Sequence, residues 1–389
     1  MPNYRCAGEV PAKRHTVVPR DGGGHLFEEL MGADGFSGAS ALLYHRNSPS
    51  ALLEIEAVEM ERPGLCADAP LQPRHLRTGD LSATGDAVLG RQLLLANRSI
   101  AISWVHADRA SGLFRDAGGD SLFYVQEGTA AFESGFGMLP VGPGDYVVIP
   151  RGMTHRWAPG PDGLRALVVE ASGHIRIPER YLAASGQFRE GAPFCERDVR
   201  APAAPLDLGD DGPVDVLVRN RAGLTRMRHA HHPFDVVGWD GGLYPYAFNI
   251  ADFEPIVGAV HQPPPVHQTF AGPDFVVCSF VPRLFDFLPG AIKVPYHHSN
   301  VDSDEVLFYS RGNFMSRAGA GIGAGSISFH PAGFVHGPQP GSLEAARDQT
   351  ETHEYAVMID TFEPLHLTDA ARAIADANYP FTWARRTDA

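Results

Sequence analysis

The chain has 389 residues, a formal net charge of −14, 44% hydrophobic and 20% charged residues, a balance that supports a sizeable folded core and speaks against disorder. That charge lacks the basic footprint needed for nucleic acid or an anionic membrane surface, so neither is expected as a partner. Cys6, Cys66, Cys195 and Cys278 form no C-x-x-C pair, the stretch Met1–Arg5 opens no apolar leader, and no apolar run reaches membrane length, so a reducing, cytoplasmic setting is expected.

Glycine (42) and proline (32) are spread between short apolar runs, the punctuation of an all-β protein. Residues 1–80 read as covering loops and short strands, with a glycine turn at Asp21–Gly24 and one short helix predicted around His25 to Met31. His15, His45 and His75 lack ligand spacing to one another and are expected to be surface or interface polar residues. From about Gly79 to Ala171, apolar runs recur at Leu93–Leu95, Ile100–Ile102, Ser121–Val125, Ala130–Phe132 and Tyr146–Ile149. The polar, proline-rich stretch from Gly186 to Asp211 reads as a linker or crossing loop. A second β series begins near Val214 and passes through Phe234–Trp239, Tyr244–Ile250, Phe275–Phe280 and Val306–Tyr309 to Tyr355–Asp360. Thr368 and the helix formers after it predict a short helix reaching Asp376.

Two segments share one form: Gly144-x5-Pro150-x-Gly152-x-x-His155 and Gly325-x5-Pro331-x-Gly333-x-x-His336, each after a run ending in a glycine, Gly128 or Gly312. This is read as an internal duplication giving two β-barrel halves. Residues 1–212 would hold a metal-free barrel and the linker, and residues 213–389 the catalytic half. The copies differ where chemistry would reside. Glu305 stands seven residues before Gly312, whereas the equivalent place before Gly128 is Ser121. His155, alone in its copy, is expected to be a hydrogen-bonded structural histidine.

In the second copy, His298, Glu305 and His336 surround tight turns in a β-rich segment. Two imidazoles and one carboxylate, with coordination positions left open, form the ligand set of non-haem Fe(II) oxygenases. His297 is the nearest competitor to His298, and ligand type alone leaves iron and manganese both open. The cluster Arg226–His232 lacks carboxylate spacing and reads as a loop at a pocket or subunit surface. His261 and His267 flank Pro263–Pro265 and read as parts of a rigid loop.

The two G-x5-P-x-G-x-x-H strings, with His298-x-Asn300 and Glu305 ahead of the second, resemble the motifs of a bicupin, a protein of two double-stranded β-helix barrels with few short helices. More narrowly, Tyr296–Asn300 through Glu305 and Arg311–Gly312, then His336–Pro338, resemble the active-site region of the homogentisate 1,2-dioxygenase family in its short bacterial-type form. Pro233–Trp239, Tyr244–Tyr246 and Arg151–Met153 extend the likeness. It implies Fe(II) held by His298, Glu305 and His336, O2-dependent cleavage of a small hydroxyaryl acid in aromatic catabolism, and a trimeric or hexameric homo-oligomer. The family's substrate-carboxylate contacts fall on Tyr296 and Arg317, with His297 also facing substrate. Two positions depart from the family: its active-site histidine is Asp240 here and its pocket tyrosine is Phe314. Asp240 or one of His229, His231 and His232, with His232 preferred, would then serve as the base. The departures leave open a related bicupin dioxygenase for another hydroxyaryl acid. A non-enzymatic, ligand-binding bicupin is the remaining alternative.

Overall fold

The structure is a computed structural model describing residues 3–20, 22–60, 63–82, 84–209, 212–317 and 320–384. Met1, Pro2, Asp21, Asp210 and Asp211, which entered the expectations for the leader, the early turn and the linker, lie outside the described residues. The all-β expectation holds: strands dominate, and helices are confined to short segments such as Ser342–Ala346 and Asp369–Ala373. The latter is the predicted C-terminal helix, whose cap Thr368 accepts a hydrogen bond from the Ala371 N–H. No helix among the described residues is long and apolar enough to cross a membrane.

The helix predicted around His25 to Met31 is instead the strand Phe27–Gly32, paired antiparallel with Ser40–His45. Glu, Leu and Met favour helix by only roughly half a kcal/mol per residue. A full ladder against a buried strand outweighs that preference. The runs Ser121–Val125 and Ala130–Phe132 belong to one strand, Ser121–Ser134. Gly128, at φ 76° and with a Cβ position only 2.0 Å from Gly163 O, bends this strand rather than ending it.

The described strands form sheets of thirteen, six, four and two strands. The six-stranded sheet runs in the order Gln268–Gly272, Phe275–Phe280, Tyr355–Thr361, Asp304–Arg311, Ser326–His330, Arg74–Arg77, antiparallel throughout. Its last strand comes from the N-terminal region. Conversely, Val214–Arg219, Leu224–His229 and Tyr246–Asn249 join the large sheet of the first half, so pairing runs across the 212/213 division in both directions. A single buried apolar cluster spans both halves. Trp104 and Tyr124 pack on Phe308 at 5.7 and 5.9 Å between centroids, and Tyr124 Oη donates to Ser310 Oγ at 2.8 Å.

The repeated motif adopts one geometry twice. Asp145–Ile149 pairs with Ser121–Ser134 so that Ile149 faces Ser121; Ser326–His330 pairs with Asp304–Arg311 so that His330 faces Glu305. Each copy then turns through a left-handed glycine, Gly152 at φ 83° and Gly333 at φ 77°. An aspartate clamps each turn. Asp120 accepts from Arg151 N at 2.9 Å and Ile175 N at 2.8 Å, and Asp304 from Ala332 N at 2.8 Å and Leu365 N at 2.7 Å.

Candidate metal centre and its cavities

His298 and His336 form an isolated antiparallel bridge, each backbone N–H donating to the other's carbonyl at 2.8 Å. The bridge sets the two rings 4.3 Å apart. Each ring is oriented in the same way: Nδ1–H donates to the carbonyl two residues earlier, Tyr296 O at 3.0 Å and Phe334 O at 3.1 Å. A carbonyl only accepts, so Nδ1 carries a proton in each ring and Nε2 is the atom left for a ligand role. His298 Nε2 lies 3.7 Å from Glu305 Oε2, and His336 Nε2 lies 3.3 Å from Oε1. His336 Nε2 is buried and has no hydrogen bond among the described residues, an orphaned ring nitrogen that calls for a partner.

Glu305 is buried, and its Oε1 accepts from His330 Nδ1 at 2.9 Å. On its far side, His330 Nε2 meets Tyr379 Oη at 3.1 Å, and its ring stacks on His336 at 4.0 Å. Burial works against the Glu305 charge, but the close approach of His298, His330 and His336 outweighs it and holds the carboxyl well below its usual range. Burial pushes His330 down to about 3, so it is neutral, donating at Nδ1 and accepting from Tyr379 at Nε2. Across the next strand, Asp360 pairs with Glu305 and receives Asn300 Nδ2 at 3.3 Å. Burial, then the Glu305 charge, raises Asp360 to about 7.

The ligand-capable atoms of His298, Glu305 and His336 lie within 4.8 Å of one another, the one such group among the described residues. Two imidazoles turned with Nε2 toward one carboxylate suit a divalent first-row metal, iron included. The site is bordered by two cavities. One, of about 220 Å³, is lined by His298, Glu305, Leu307, Tyr309, Arg317 and Asp360, among others; the second, of about 780 Å³, is lined by Tyr296, His297, Val335, His336 and Trp383, among others. His261, Asp286, Val294 and Pro295 line both.

Arg317 is buried on the wall of the Glu305 cavity. Its Nε donates to Tyr309 Oη at 3.0 Å and its Nη1 to Gly337 O, while Nη2 has no partner among the described residues. Burial opposes its charge, but Tyr309, Tyr379 and Glu305 hold it cationic. Tyr296, expected beside it, is 69% exposed, stands edge-on to His261 at 5.3 Å and lines only the second cavity. His297 lies against Gly337, which has no room for a Cβ. His298, not His297, joins the cluster. Phe314 is buried at φ 41°, edge-on to Tyr309 at 5.1 Å, and lines neither cavity.

Asp240 and His232 lie elsewhere. Asp240 Oδ2 accepts from Tyr4 Oη and Arg14 Nη2, both at 2.7 Å, and lines neither cavity of the candidate centre. His229, His231 and His232 line a separate cavity of about 70 Å³ with Glu29, His45 and Arg115. None of the bases expected from sequence therefore faces Glu305. His155 keeps the orientation of its counterpart, with Nδ1 on Met153 O at 3.1 Å, but it is enclosed by Phe114 and Phe132 and has no carboxylate partner. Burial lowers it to about 3. Sequence reasoning missed His330 and Asp360. His330 had a signal, since the residue before Pro331 is histidine while the residue before Pro150 is Ile149. Asp360 had none, because only the strand register brings it to Glu305.

The sequence profile of the homogentisate 1,2-dioxygenase N-terminal region matches residues 84–250. A Saccharolobus solfataricus protein named "putative dioxygenase" is 38% identical over 98% of both chains. The homogentisate 1,2-dioxygenase of Emericella nidulans is 30% identical over 70% of this chain, which spans 60% of that relative's length. Among solved structures, a cupin 2 conserved barrel domain protein from Leptotrichia buccalis aligns with a TM-score of 0.35 at 9% identity, over 80% of this chain and 100% of its own. With a full-length relative and the profile match on the same chain, the protein belongs to the homogentisate 1,2-dioxygenase family.

Proposed function

We propose that the chain is an Fe(II)-dependent, ring-cleaving dioxygenase for homogentisate or a closely similar hydroxyphenyl acid, giving a maleylacetoacetate-type product, on a two-barrel cupin scaffold whose first barrel is metal-free. The observation that carries this reading is the convergence of His298, Glu305 and His336, whose ligand-capable atoms lie within 4.8 Å of one another. Iron held there would supply a template and an electron conduit between an aryl substrate and O2, which spin rules keep from reacting directly.

The protein's own side chains account for the rest. His330 and Asp304 hold the carboxylate and the adjoining turn in place. Leu307, Met358 and Phe280 offer apolar wall to one aromatic ring in the Glu305 cavity. Arg317, with Nη2 unpaired among the described residues, is placed to take the substrate carboxylate through a charge-assisted bond. Without Tyr296 in that cavity, the carboxylate grip rests on the arginine. A second reading, a related hydroxyaryl acid as substrate, is favoured by the two departures: Asp240 is held by Arg14, and Phe314 lacks a hydroxyl.

The test is anaerobic reconstitution with Fe(II), then O2 uptake with homogentisate, gentisate and related acids. Uptake with homogentisate supports the first reading, and uptake with another acid supports the second. Failure to retain iron ends both.

A further inference from the structure

Strand register builds the Glu305 cavity in rows. Glu305 pairs with Asp360; Leu307 pairs with Met358, which pairs with Cys278; Tyr309 pairs with Ala356, which pairs with Phe280. Alternate residues share a face, so the Tyr309–Ala356–Phe280 row lies about 13 Å along the strand from the Glu305–Asp360 row. Arg317 belongs to one end of that far row through its bond to Tyr309. At the other end, His267 packs on Phe280 with centroids 4.6 Å apart, just before the strand Gln268–Gly272.

His267 lines the same cavity as Glu305 and Arg317 and is 8% exposed. Neither ring nitrogen has a hydrogen-bond partner among the described residues, and Nδ1 is wholly shielded. A buried imidazole in this condition is costly unless something entering the cavity bonds to it. Burial, reinforced by Arg283 and His261, lowers it to about 3. It therefore stays neutral, and with Nδ1 shielded it is Nε2 that can meet a group in the cavity, as donor or acceptor according to the tautomer. The motif that contains it, His261 to His267 around three prolines, also contributes His261, Gln262 and Pro264 to the wall of this cavity.

We infer that His267 is a substrate-binding residue that reads a second ring hydroxyl, at the far side of the aromatic ring from the candidate metal ligands. The inference rests on the ring-cleaving reading above and narrows it to dihydroxylated aryl acids. The physical basis is asymmetric: a hydroxyl that meets His267 is hydrogen-bonded, whereas a ring without one leaves the buried imidazole unpaired. Arg317, at the other end of the row, remains free to hold the carboxylate.

The experiment compares Fe(II)-loaded wild type, His267→Leu and His267→Gln under anaerobic conditions. It measures dissociation constants for homogentisate, which carries two ring hydroxyls, and for 2-hydroxyphenylacetate, which carries one. Thermal unfolding of each variant verifies the fold. Wild type is expected to favour homogentisate by about 10- to 100-fold. His267→Leu should lose most of that preference without weakening 2-hydroxyphenylacetate, and His267→Gln, which keeps an acceptor, should restore much of it. A His267→Leu protein that retains the wild-type preference overturns the inference while leaving the ring-cleaving reading intact. Iron-loaded wild type that binds neither acid and takes up no O2 with homogentisate overturns both.

Discussion

Glu305 and His330 face each other across paired strands, with Oε1 and Nδ1 2.9 Å apart, and His330 is completely buried. The neutral imidazole thus donates to the carboxylate from behind while its second nitrogen is held by Tyr379. Such an outer partner fixes the carboxylate's rotamer and charge before any ion arrives. His330→Phe keeps the stack on His336 but removes the donor. It should bind iron about 10- to 100-fold more weakly, as measured by competition with a metal chelator, with the fold retained by circular dichroism.

Glu305→Ala and His155→Ala should part company. Glu305→Ala is expected to retain no iron after desalting and to show no turnover. His155 occupies the equivalent turn but packs between Phe114 and Phe132 and bonds a backbone carbonyl, with no carboxylate partner among the described residues. Its removal should leave turnover per folded molecule within about threefold of wild type, yet cost about 2–4 kcal/mol through the cavity left behind. Iron content, O2 uptake and denaturant unfolding of both variants test this.

Arg317→Met should raise KM for the aryl acid by about 100-fold, with kcat changed much less, because the lost bond is to a charged substrate group present throughout the reaction. Arg317→Lys should recover only part of the loss, since an ammonium cannot hold Tyr309, Gly337 and a carboxylate together. A kcat loss equal to the KM rise would argue against a carboxylate grip.

Far from the centre, His45 lies between Asp235 Oδ1 at 2.7 Å and Glu29 Oε2 at 3.0 Å. Burial disfavours its charge, but the two carboxylates outweigh it and raise His45 from 6.5 to about 9. A raised folded value means the stabilisation is fully present below 6.5 and is lost as pH rises through about 9. On the order of 3 kcal/mol is at stake. Unfolding free energy should decline across that window in wild type, and His45→Asn should remove this component of the decline.

The sequence exposed the candidate ligands because they sit at fixed offsets from turn residues, and turns are local. The comparison of the two motif copies also located Ser121 as the counterpart of Glu305, an equivalence that the strand register reproduces. The same comparison at Ile149 and His330 would have revealed the carboxylate's partner. The helix expected at His25 to Met31 failed because a local preference yields to pairing with a strand further along the chain. Tyr296, Asp240 and His232 failed as cavity residues because proximity in sequence to a ligand, or to a family motif, does not say which wall a side chain faces.

The sequence by itself determined the all-β class, the duplicated turn and the His298, Glu305, His336 set, since each depends on spacing within a few strands. Only the tertiary structure decided which groups meet that set. His330 and Asp360 reach it through cross-strand register, Arg317 and His267 line its cavity from turns beside the strands, and Asp240 and His232 lie elsewhere. Register and facing are properties of paired strands, and a single strand read alone carries neither.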